Sequence, residues 1–327
     1  MTAHPQPPSS SVAALLAHIA LAPRQAHKAL TVWPLLRRPD APTPIGPAYV
    51  PLADALRSGD LNVDEISEGG SVPHARVGNR GESAVLVLFG EELRGAKQNR
   101  IANASFLVPG HSEIVIDVSC VEQGRWGRRR GARFEDAERV ISHALRRKMH
   151  HKIRAMKAAG MTGFGSDQSE VWADVRQRLE HSRTASPTQS YEDYARSRGT
   201  DVREISRAFR PLDRQVGFVA AIGDEIVGAE VIGRPEVFAG AFQRLLHGYA
   251  IDAVDVAFLR PAQEAAPAPQ VFDAHEEFLQ ALGEADATSG PSLGAGEDVR
   301  IDGQRVAGCA LVAGEVVHLT AFPHEVA

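Results

Sequence analysis

Between Gly90 and Trp126 the chain reads GEELRGAKQNRIANASFLVPGHSEIVIDVSCVEQGRW. Lys97, Gln98, Asn99 and Arg100 form an unbroken polar run just after Gly95. Two cations and two amides offer many hydrogen-bond donors, which carboxylate, phosphate and nucleotide ligands require, and arginine can hold an oxyanion through two parallel bonds. Gly95 permits close backbone approach or a positive φ. The plainer reading of the run is a solvated loop. Glu91 and Glu92 follow the apolar stretch Ala84–Phe89. Further on, strand alternation places Ile114, Ile116, Val118, Cys120 and Glu122 on one face. Cys120 continues an apolar row and reads as a small core residue. A nucleophilic thiol there needs a neighbouring cation, and Arg125 or Lys97 could supply one. Glu122 ends the row at the rim of the sheet, as a general acid or base or as the ion-pair partner of Arg125.

These side chains need a scaffold, and composition bounds it. The chain has 327 residues, 43% of them hydrophobic and 24% charged, with a formal net charge of -5. That is enough chain for a sizeable core without covalent staples, and the charge balance argues against a whole-chain nucleic-acid binder. Cys120 and Cys309 are too few for a disulfide framework. No apolar run approaches the ~20 residues of a membrane span. The first residues read as a Pro/Ser tail to about Ser11, then a short amphipathic helix. Ala20-Leu21-Ala22 resembles a signal-cleavage site, but no Lys or Arg precedes it and His18 interrupts the apolar stretch. A cytoplasmic location is expected.

Strands are expected at Leu30–Leu36, Val63–Ile66, Val72–Val77, Ala84–Phe89, Ala104–Val108 and Glu113–Val121, with a short helix at Leu52–Arg57. Pro109-Gly110 would turn the last two strands into a hairpin. Phe134, Ala137, Ile141, Leu145, Met149, Ile153 and Met156 recur at helical spacing and predict one long helix ending at Gly160. Asp167 and Glu170 form a capping box for a second helix, and Ser190–Arg198 reads as a third, stopped by Gly199. Gly223-Asp224 and Ala313-Gly314 sit at the tips of two hairpins, and Pro235 opens a helix. Pro261–Pro269 reads as a linker, followed by a helix at Val271–Leu282. The fold class is therefore α+β: a β-rich N-terminal part with hairpins and antiparallel sheet, then helices and β-hairpins. The divisions expected are 1–28 (tail and short helix), 29–130 (the β-rich part with the polar motif) and 131–327 (an α+β part packed on it).

No phosphate loop, dinucleotide-binding fingerprint or G-x-S-x-G elbow is present, and His275-Glu276 lacks the second histidine of a zinc-protease helix. His143, His150 and His151 are expected as partly solvated residues of a basic helix, and His111 and His318 stand alone in the sequence. No metal site is expected.

The strings GEELRGAKQNR and VSCVEQGRW resemble the signature of the ADP-ribosylglycohydrolase- and rhodanese-phosphatase-superfamily-associated protein domain family. The resemblance is strongest over Gly90–Trp126 and extends more loosely over Leu30–Asp255. It implies an enzyme associated with ADP-ribose and NAD-derivative processing. It carries over Glu92, Lys97, Gln98, Asn99, Arg100, Cys120, Glu122, Arg125 and Trp126.

On this reading the partner is a nucleotide-like or phosphorylated small molecule. Lys97, Arg100 and Arg125 hold phosphate or carboxylate, Gln98 and Asn99 orient sugar or base, and Trp126 stacks on a ring. Glu92 and Glu122, with Cys120, are the candidate catalytic groups of a hydrolase. The alternative is a non-catalytic binding or regulatory module using the basic span Arg125–Lys157 for nucleic acid or a protein. Neither cofactor nor oligomeric state is legible, and no membrane partner is expected. If the Pro109-Gly110 turn pairs its flanking strands, Asn99 and Arg100 come opposite Val118–Val121, and Glu122 and Arg125 meet Lys97 and Gln98 at one rim. A concave, partly exposed polar pocket is expected there, with Arg100→Ala and Glu122→Gln weakening function more than stability.

Overall fold

A computed structural model of the protein describes residues 8–66, 73–125, 133–259, 272 and 274–324. The expectations for Trp126, for Arg128 to Arg130 and for the linker fall outside these residues. The N-terminal elements are α1 (Pro8–Ala17), β1 (Ile19–Leu21), β2 (Gln25–His27), β3 (Leu30–Arg37), β4 (Tyr49–Pro51), α2 (Leu52–Ser58), β5 (Leu61–Asp64) and β6 (His74–Asn79). Next come β7 (Ala84–Val87), β8 (Glu91–Gly95), β9 (Arg100–Ala102), β10 (Phe106–Val108), β11 (Ser112–Cys120) and β12 (Phe134–Val140). The helical block is α3 (His143–Ala158), α4 (Gln168–His181), α5 (Tyr191–Ser197) and α6 (Gly199–Arg207). The chain continues with β13 (Gln215–Ile222), β14 (Glu225–Ile232), α7 (Pro235–Leu259), α8 (His275–Glu284), β15 (Asp286–Pro291), β16 (Glu297–Asp302), β17 (Val306–Val312) and β18 (Val316–Pro323). This is a mixed α+β fold with a β-rich N-terminal region. Among the described residues no helix is long and apolar enough to cross a membrane.

Local chemistry sets these boundaries. Gly223 takes φ +62 at the tip of the β13–β14 hairpin, where Ile222 faces Glu225. Asp167 caps α4 by accepting from the backbone N–H groups of Ser169 and Glu170, and Ser190 caps α5 by accepting from Glu192. α5 ends at Ser197, just before Gly199 as expected, and a further helix, α6, begins at Gly199 and buries Val202 and Ile205.

The strands form three sheets. A nine-stranded sheet runs β1-β3-β13-β14-β18-β17-β16-β15, with β2 also on β3. Both its faces are covered. Val12, Phe278 and Leu282 from α1 and α8 pack on one side, and residues of α3 and α7 such as Met149 and Phe242 pack on the other. A small sheet, β10-β7-β4, has a parallel β4–β7 pair. The third sheet, β12-β8-β9-β11-β6-β5, curls until its edge strands β12 and β5 touch. Its concave side holds Val63, Val77, Leu93, Ala102, Ile116 and Val118.

Two expectations about elements are corrected. Phe134, Ala137 and Val140 lie on a strand, not in the long helix. β12 pairs with β8, and its register shifts between Asp136 and Val140, where Glu138 takes φ +60. This bulge spaces the buried residues by three and so imitates a helical stripe. The helix starts only at Ser142, whose side chain accepts from the Leu145 N–H. The hairpin through Pro109-Gly110 also does not form. β10 pairs with β7, while β11 pairs with β6 and β9. All three residues of β10 are buried, because Leu107 belongs to one core and Phe106 and Val108 to another, and such a strand fits an interior pairing.

Candidate functional site

Alternation along the curled sheet decides which polar groups meet. Leu61 and Val63 point into its interior, as do Ala102 and Val118, and Glu65, Arg100 and Cys120 continue those rows. Arg100 stands opposite Cys120, and Ala102 opposite Val118. One end of an apolar interior is thus closed by a cation, a carboxylate and a thiol.

The contacts there are dense. Arg100 donates through Nη1 to Cys120 Sγ and through Nη2 to Glu65 Oε1 at 3.4 Å. The Lys97 backbone N–H also donates to Glu65 Oε1, at 3.3 Å. Cys120 donates its thiol hydrogen to Gln98 Oε1 at 3.0 Å. Gln168 holds both backbone groups of Cys120 with its side-chain amide, at 2.8 Å each. Burial pushes the Cys120 thiol up to about 11, against the pull of Arg100. That upward direction is the one expected of a buried core thiol and opposite to the one that activates a nucleophile.

Glu122 and Arg125 form the rim. Arg125 Nε is 2.8 Å from Glu122 Oε2, and its two Nη atoms donate to the carbonyls of Ala96 (2.9 Å) and Gly95 (3.2 Å) and to Asn99 Oδ1 (3.1 Å). Glu122 also accepts from the Asn99 N–H at 3.3 Å and from Thr188 Oγ1 at 2.9 Å. Asn99 reaches on to Glu192 at 3.2 Å. Gly95 makes the turn possible: it takes φ +117, and a Cβ on it would lie 2.6 Å from the Arg133 carbonyl oxygen.

Lys97, Gln98, Asn99, Arg100, Cys120, Glu122 and Arg125 therefore converge. Glu92 does not join them. It faces Ile101, the neighbour of Arg100, so it points to the opposite side of the sheet. There its Oε2 accepts from Arg139 Nε at 2.6 Å. The expected open pocket is also corrected. Arg100 is 0% exposed, Asn99 2% and Glu122 5%, and the Arg125 side chain at 30% is the accessible end of the network. Most of these groups bond to one another, as a buried cluster of this charge density requires.

Glu65, Thr188 and Glu192 were not singled out from the sequence, and Gln168 entered only through Gln168–Trp172, a segment that fits the layout of the resembling family. Glu65 had a signal, two places beyond Val63 on the same strand face. Thr188 and Glu192 reach the site from distant segments and had none. Glu65 Oε2 is buried with no hydrogen-bond partner among the described residues.

Within the basic span, several described cations pair with carboxylates. Arg139 pairs with Glu92, Arg146 with Glu230, Lys148 with Asp174, Arg154 with Asp302 and Lys157 with Asp298. Carboxylates of neighbouring elements thus neutralise these cations. His143 and His150 are buried, not partly solvated, and burial pushes the His143 imidazole down to about 3.

No curated protein and no solved structure matches the chain. A family model described as the ARG and Rhodanese-Phosphatase-superfamily-associated Protein domain matches residues 18–322, and the chain belongs to that family.

Proposed function

We propose, for this member of the family, that the closed end of the curled sheet binds a nucleotide-like or phosphorylated small molecule of the ADP-ribose and NAD-derivative class, and that the protein is a hydrolase acting on it. The observation carrying this reading is the meeting of the Lys97–Arg100 run with Glu122 and Arg125 beside a carboxylate oxygen, Glu65 Oε2, without a partner among the described residues. Three cations and two amides at one place suit an anionic, hydroxyl-rich ligand. Arg125 is the entry point, because its side chain is partly exposed and its bonds to two backbone carbonyls can be exchanged for phosphate oxygens. Gln98 and Asn99 supply hydroxyl and amide recognition, and Glu122 is the acid or base.

The test is ligand-induced thermal stabilisation, which rises with the ratio of ligand concentration to Kd. ADP-ribose, NAD and sugar phosphates at millimolar concentration should raise the melting temperature of the protein, and Arg125→Ala should abolish the shift. Failure of every compound to move the wild-type transition would remove the reading.

A further inference from the structure

Ser105, His318 and Glu230 form a hydrogen-bonded line that the proposed function does not use. Glu230 on β14 faces Thr320 on β18, and Ile232 faces His318. Glu230 and His318 thus lie on the same side of the nine-stranded sheet, toward α3 and α7. Ser105 comes from the bend between β9 and β10. His318 Nδ1 is 2.6 Å from Ser105 Oγ, and His318 Nε2 is 3.1 Å from Glu230 Oε2. The other carboxylate oxygen accepts from Arg146 Nη1 (2.6 Å), Tyr249 Oη (2.9 Å) and Thr320 Oγ1 (3.1 Å). Glu230 and His318 are buried, and Ser105 is half-buried.

These partners determine where the protons sit. Burial alone would push the Glu230 carboxyl up, but the Arg146 guanidinium and His318 outweigh it and hold the group down to about 2. An ionised carboxylate only accepts, so the hydrogen on His318 Nε2 goes to Glu230, and when the ring is neutral Nδ1 is left as the acceptor for the Ser105 hydroxyl. The hydroxyl oxygen accepts from the Phe89 N–H at 3.1 Å, a contact that fixes where the oxygen sits beside the imidazole. A hydroxyl held against an imidazole, itself oriented by a carboxylate, is the arrangement that activates a serine nucleophile. The two ring nitrogens are used in the reverse of the usual order, and the proton logic is unchanged. The missing G-x-S-x-G motif does not bear on this, since such an arrangement is recognised by geometry and roles.

We propose that Ser105 is a nucleophile activated by His318 and Glu230, and that the protein cleaves a carboxylic ester there. Ser105 Oγ bonds to the ester carbonyl carbon while its proton passes to His318 Nδ1. The ester C–O bond then breaks, and the alcohol leaves with that proton. Water, giving a proton to Nδ1, attacks the acyl-Ser105 carbonyl. The carboxylic acid departs, and the proton returns to Ser105 Oγ. Glu230 stays ionised throughout and faces the imidazolium that forms twice per cycle.

The full chain should be incubated with a fluorophosphonate and the adduct located by peptide mass. One adduct on Ser105 is expected, absent from Ser105→Ala and formed at least tenfold more slowly in His318→Gln. No adduct on Ser105 of the folded wild-type protein overturns the proposal. Should His318→Gln fail to fold, Ser105→Cys replaces it. A pH midpoint below about 7 for iodoacetamide alkylation of the thiol so introduced supports activation by His318, and a midpoint near the ordinary thiol value of about 8.5 overturns it.

Discussion

Arg100 and Cys120 stand directly opposite each other on neighbouring strands, and the guanidinium donates to the sulfur while the thiol hydrogen goes to Gln98. A buried charge is thus held beside a group that stays neutral, and Glu65 supplies the compensating carboxylate.

Because that ion pair is fully buried, Arg100→Ala should act first on folding. Removing one member leaves Glu65 uncompensated, and breaking a buried pair in this way costs about 3–5 kcal/mol. Urea denaturation of Arg100→Ala should show a much lower midpoint, with loss of ligand binding following from it. A variant of wild-type stability would show that the pair is not compensated as described.

Both thiols should be silent in the native protein. Burial pushes Cys120 up to about 11 and Cys309 up to about 12, so neither is a thiolate at neutral or mildly alkaline pH. An aromatic disulfide reagent at about pH 8 should titrate no thiol until denaturant is added, and both afterwards. Rapid modification of Cys120 in the native state would restore it as a candidate nucleophile.

Glu91 gives stability a pH dependence of unusual sign for a carboxylate. Burial pushes its carboxyl up to about 7, and the Arg244 guanidinium beside it only partly opposes this. The folded state therefore binds more protons than the unfolded state between about pH 4.5 and 7, and the Glu91 contribution to stability falls as pH rises through that window. Glu91→Gln should gain on the wild type by up to ~3 kcal/mol from about pH 4.5 to about pH 8. Urea midpoints of both proteins at the two pH values check this, and a constant difference would contradict it.

The β12 bulge carries strain that a single substitution can release. Glu138 is exposed and takes φ +60, a conformation that favours glycine. Glu138→Gly should stabilise the fold by about 0.5–1 kcal/mol, seen as a higher melting temperature. A loss of stability would mean that its side chain matters more than its backbone.

The register of the candidate site was legible because strand alternation survives rearrangement. Arg100 faces Cys120, as counting outward from Gly110 expects, although the residues nearest that turn leave for different partners. Glu92 was misplaced because adjacent strand residues point to opposite faces, and the family signature does not say which member of Glu91-Glu92 belongs inside. The bulged strand was illegible for a different reason, since one residue at positive φ converts a period of two into three. His318 looked isolated because Ser105 and Glu230 lie far away in sequence and meet it only through the sheet.

The position of β3 bears on how the chain reaches this state. Leu30 to Leu36 pair with residues 215–222, so the strand is complete on the ribosome roughly 180 residues before its partner. At about 5–20 residues per second, that delay is roughly 10–40 s. During it, a strand carrying Leu30, Val32 and Leu35, all later fully buried, has an open edge on the side that β13 will occupy. Such non-local closure makes folding slow and exposes the nascent chain to aggregation. Recovery of folded protein from a cell should therefore respond to translation speed and to chaperone supply, even where the finished molecule is stable.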